Sequence, residues 1–182
     1  MLVEESVCCF PSVRIAPYTS VERIMKQSSK NVLDEATRIF DEWYRRHRSQ
    51  VTSPPYVTAH SYLKRAVYEL VQAPALSRNQ YLTLKRLVQK ERGEVPKAPP
   101  IEENPFFWGF LLVFGDDSCL TRGDRSKFST ELLYARMHDV PAELLVGFIY
   151  QAGGYARISQ QMKRGETEDW LKEVKQTLVK GL

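Results

Sequence analysis

The chain has 182 residues, 43% of them hydrophobic and 26% charged, enough to bury roughly 70% of its unfolded surface, which excludes a disordered tail, a collagen-like repeat and a disulfide-dense mini-protein. Its longest apolar stretch, Phe106 to Phe114, falls short of the roughly 18 residues of a membrane span. Glu4 and Glu5 stand where an export signal would carry Lys or Arg, so a cytoplasmic protein with no membrane partner is expected. The formal net charge of +4 excludes little by itself.

In chain order, residues 1–18 contain β-leaning runs cut by Pro11 and closed by Pro17, which reads as a short extended N-terminal segment. Thr19 with Glu22 has the form of a capping box, and Val21, Ile24, Met25, Val32, Ala36, Ile39, Phe40 and Trp43 recur at threes and fours. Helix is expected from Thr19 to about Arg48, with Asn31 as a possible internal cap. After the Pro54–Pro55 turn, Tyr62, Leu63, Ala66, Val67, Leu70 and Val71 predict a helix over about 59–72. Ser77 with Gln80 and a closing Gly93 bound a further helix over 78–92. These two helices read as an αα-hairpin.

Residues 93–104 hold Pro96, Pro99 and Pro100 with three acids and are expected to be a linker. It would join an N-terminal lobe, 1–92, to a C-terminal lobe, 105–182, unless the whole chain is a single domain. Asn104 and Pro105 then open a helix that is apolar on all sides and therefore central. Residues 115–127 read as a polar loop, followed by a helix near 129–138, another between Pro141 and Gly153, and a last amphipathic helix capped by Thr167. The expected fold class is all-α, a bundle of six to eight helices.

No catalytic signature emerges. The three cysteines, Cys8, Cys9 and Cys119, make no disulfide framework, and His47, His60 and His138 lie outside any metal-ligand spacing. Buried apolar thiols and no metal or cofactor are the expectation. The loop holding Asp116, Asp117, Arg122, Asp124 and Arg125 lacks both the EF-hand order and the phosphate-loop order, and reads as a solvated connection.

The distribution of charge says more. Between Arg45 and Lys97 stand eleven Lys or Arg against three acids, a local +8 that leaves −4 for the rest of the chain. Such a block is what a surface meeting phosphates or an acidic partner carries. Arg45, Arg46 and Arg48 close the first helix, followed by Tyr56, Lys64 and Arg65, and then by Arg78, Lys85, Arg86 and Lys90. Guanidinium forks pair with phosphate oxygens and tyrosine rings stack on bases. These ten residues are the candidate nucleic-acid contacts, with Tyr56 the ring expected to be free and Tyr62 and Tyr81 expected to face the core.

In size, helicity and charge the chain is similar to the small helical subunits of CRISPR surveillance complexes, a likeness of class that implies a strand-lining role. The expected function is non-catalytic, sequence-independent binding of an RNA or DNA backbone within a larger protein assembly. The alternative from another class is a helical adaptor module for an acidic protein partner.

Overall fold

A computed structural model describes the backbone of residues 19–49, 58–72, 78–115 and 117–166, and the side chains of these except 19–29 and 78–80. The extended N-terminal segment, Tyr56 and the helix expected from Thr167 lie outside the described residues. Within them the chain is helical: α1 (Thr19–Arg48), α2 (Ala59–Gln72), α3 (Arg78–Arg92), α4 (Pro105–Val113), α5 (Arg122–Met137), a 3-10 turn (Ala142–Leu144), α6 (Leu145–Gln151) and α7 (Gly154–Arg164). No described helix is long and apolar enough to cross a membrane.

Helix α4 organises the molecule. The Asn104 side chain accepts a hydrogen bond from the Phe107 N–H (3.2 Å), and Pro105 occupies the first turn, where its missing N–H costs nothing. Eight of its nine residues are buried, and α1, α2, α3 and α5 all pack on it. Gly109 permits a close approach of α2, since a Cβ there would lie 2.8 Å from Val71 Cγ2 and 3.0 Å from Val67 Cγ1. Around α4 a single apolar cluster runs from Ala36, Ile39 and Trp43 through Tyr68, Phe106 and Phe110 to Leu132, Phe148 and Ile158. It takes side chains from both sides of residues 93–104.

That Pro-rich stretch is irregular but lies against the core. Ile101 is 1% exposed, and the Trp108 indole N–H donates to the Pro99 carbonyl at 2.9 Å. Helices α2 and α3 do not form the packed hairpin that their adjacency suggests. Helix α3 lies mainly against α4, and α2 lies between α1 and α4, because an element apolar on every side draws inner faces from both toward itself.

Helix α5 begins earlier than its apolar spacing indicates. Thr121 caps it: its hydroxyl accepts from the Asp124 N–H (3.1 Å) and donates to the Asp124 carboxylate (2.7 Å), so half of the expected polar loop is the first turn of a helix. Cys119, expected among buried thiols, is exposed just before that turn, since Leu120 takes the inward position. At the end of α6 the chain reverses through Gly153, whose φ of +82° is left-handed and costs glycine little.

Candidate functional site

Nine of the ten candidate residues spread over three helices with different neighbours, and Tyr56 lies outside the described residues. In the last turn of α1, Glu42 bonds both Arg45 (Nη2 to Oε1, 2.7 Å) and Arg46 (Nε to Oε1, 2.6 Å). The Arg46 guanidinium also lies 4.4 Å from the centre of the Tyr62 ring on α2. Arg48 stands 5.3 Å over the ring of Tyr44. The two guanidiniums hold the Glu42 carboxyl down at about 2. One carboxylate is therefore shared by two arginines, and with Arg48 the turn keeps an excess positive charge that the helix C-terminus partly offsets.

On α2 the cations turn inward. Lys64 Nζ sits 2.6 Å from Glu131 Oε2 on α5, with side chains only 17% and 7% exposed, and 4.4 Å over the Phe128 ring. Oε2 is buried without hydrogen-bond geometry, so the pair is held by charge. Arg65 is half-buried, and its Nε is enclosed with no hydrogen-bond partner. Neither residue joins an outer wall, because the apolar stripe of α2 is broad enough to carry its flanks against α1 and α5. Tyr62 and Tyr81 are half-buried against the core, and Tyr68 is fully buried, its hydroxyl donating to the Val140 carbonyl at 2.8 Å.

Helix α3 presents the freer group. Arg78 opens it, with a side chain outside the described part. Leu82, Lys85, Arg86 and Lys90 fall at spacings of three and four, which is one helical face. Arg86, Lys90 and Leu82 are exposed and Lys85 is half-exposed, with Lys85 Nζ 5.8 Å from the centre of the Trp108 ring. The described ion pairs leave Lys85, Arg86 and Lys90 without a carboxylate. Neither α1 nor α2 packs extensively on α3, so the structure brings together the α3 cations and keeps those of α1 and α2 apart from them.

Past the end of α3 lies a cationic cavity of about 410 Å³, walled by Arg92, Lys97, Arg122 and Arg125 with Glu94 and Asp117, and floored by Phe107 and Leu111. Arg125 is 2% exposed and donates to the Leu120 carbonyl (2.7 Å) and to Asp117 Oδ1 (2.5 Å). Arg92 Nη2 reaches the same oxygen at 3.1 Å, and these two guanidiniums hold the Asp117 carboxyl below its ordinary value. On the rim, Arg122 Nη2 donates to the Lys97 carbonyl at 2.7 Å, which fixes Lys97 in a left-handed turn with φ of +63°. In the sequence alone Arg122 and Arg125 read as parts of a loop. Their one detectable signal was the Thr121–Asp124 cap, which turns both into first-turn helical residues facing the end of α3.

Among the described residues no three His, Cys, Asp or Glu side chains gather as a metal ion would need. The charge pattern across α3 and this cavity suits anions. No protein-family model, curated protein or solved structure matches the chain.

Proposed function

We propose that the protein is a non-catalytic, sequence-independent binder of the nucleic-acid backbone, serving as a helical subunit of a larger nucleoprotein assembly, with α3 as its main contact. The observation that supports this reading is the outer face of α3, where Lys85, Arg86 and Lys90 project with no carboxylate bonded to them among the described residues. Cations in that state can replace the counterions condensed on a strand. The face carries no exposed aromatic ring, which suits phosphate contact without base stacking or base reading. Arg45, Arg46 and Arg48 form a secondary, partly neutralised patch.

The test is a filter-binding titration against single- and double-stranded RNA and DNA over a range of salt. With about four phosphates neutralised, log K falls against log salt with a slope of about −3 to −4. Arg86→Ala and Lys90→Ala are each expected to flatten that slope by about one unit. Arg45→Ala is expected to change it less, because Glu42 already takes up part of that charge. Affinity that ignores salt, or no binding at low salt, overturns the reading.

Leu82, 46% exposed among these cations, favours the second reading, an acidic protein partner that also covers an apolar side chain. Retention of one partner after nuclease treatment, lost in Leu82→Asp, would support that alternative.

A further inference from the structure

The cavity beyond α3 has a different character from the α3 face: it is a half-open hollow, three of its arginines are held by hydrogen bonds, and it has an apolar floor. We propose that it is a binding site for a phosphomonoester dianion. This stands independently of whether α3 carries a strand.

Four cationic side chains meet there against two carboxylates, a net +2. A tetrahedral dianion balances that charge, whereas a single carboxylate leaves half of it uncompensated. Two of the cations are removed from bulk water: the side chains of Arg92 and Arg125 are only 15% and 3% exposed. Both converge on the single oxygen Asp117 Oδ1, so one carboxylate serves two buried guanidiniums. The Nε of Arg125 is also enclosed with no hydrogen-bond partner. A buried cation with incomplete compensation favours an incoming anion far more than one in bulk water does.

The donors are also preorganised. Arg125 is tied to the Leu120 carbonyl and Arg122 to the Lys97 carbonyl, so little side-chain freedom is lost when a ligand enters. The volume of about 410 Å³ falls within the range of roughly 300–1,000 Å³ usual for small-molecule sites. It exceeds the need of a bare ion, and Phe107 and Leu111 supply an apolar wall for the group esterified to the phosphate.

The test uses the full chain in calorimetric titrations with AMP, adenosine and inorganic phosphate, and with one oligonucleotide carrying either a 5′-phosphate or a 5′-hydroxyl. AMP is expected to bind and adenosine not. Lys97→Gln and Arg122→Gln, both exposed on the rim and so compatible with folding, are each expected to weaken AMP about tenfold. Affinity should also fall as pH drops through about 6, where the dianion takes up a proton and becomes a monoanion.

A preference for the 5′-phosphorylated strand that Lys97→Gln erases identifies a strand end as the source of the group. A response to AMP and phosphate alone identifies a free metabolite, and either result supports the site. Equal behaviour of AMP and adenosine, or AMP binding unchanged in both rim variants, overturns it. The double variant Arg86→Ala, Lys90→Ala is expected to weaken strand binding while AMP still binds, so the failure of one reading is separable from failure of the other.

Discussion

Removing Glu131 leaves the Lys64 ammonium between α2 and α5 with the Phe128 ring beside it and no counter-charge. Breaking a buried pair on one side costs about 3–5 kcal/mol, while replacing both partners by apolar residues is near neutral. Glu131→Ala is therefore expected to lower stability by about 3 kcal/mol in urea denaturation, and Lys64→Met with Glu131→Leu to recover most of it. A loss under about 1 kcal/mol would mean that the pair is solvated like a surface one. Glu42 and Asp117 act through pH. Both carboxyls are lowered by hydrogen bonds from arginines, Glu42 from 4.5 to about 2. Their contribution is present above their unfolded values and is lost as pH falls toward the folded ones. The unfolding midpoint is expected to drop modestly between pH 4.5 and about 2, since both groups are solvent-facing, and Glu42→Gln should flatten that limb. Lys64 shows what sequence cannot register at this scale: its position in the basic block was plain, but its acid lies 67 positions away, and only packing reveals the meeting.

At the scale of elements, the bounds of α2, α3 and the start of α4 were legible because each has a local cause: an apolar stripe, a capping side chain or a proline at the first turn. The start of α5 was not, because the first turn of a surface helix can be entirely polar, so that Arg122 to Lys127 carry no apolar period. Gly109 gives a test of the contact between α2 and α4. Alanine raises helix propensity by about 1 kcal/mol, but its methyl would meet Val71 Cγ2 at 2.8 Å, and overpacking costs about 1–3 kcal/mol. Gly109→Ala is expected to destabilise by about 1 kcal/mol, and Val71→Ala in the same chain to make the alanine tolerable. A stabilised Gly109→Ala protein would show that α4 has room to withdraw.

For the molecule as a whole, the apolar cluster takes residues from α1 through α7 and crosses the Pro-rich stretch. Shared burial makes unfolding cooperative. Far-UV circular dichroism and tryptophan fluorescence, with Trp43 on α1 and Trp108 on α4 both buried, are expected to report one coincident transition in urea. Two separated transitions would divide the chain at residues 93–104. By itself the sequence determined the all-helical class, the positions of most helices and the central place of α4, because apolar period, caps and prolines act over a few residues. The tertiary structure alone decided which cations stay outside. Glu42 is shared by Arg45 and Arg46 on α1, Glu131 pairs with Lys64 on α2, the face of α3 keeps its own, and Arg92, Lys97, Arg122 and Arg125 come together around a cavity. Charge acts through space over distances that helix packing sets, and spacing along the chain does not encode those distances.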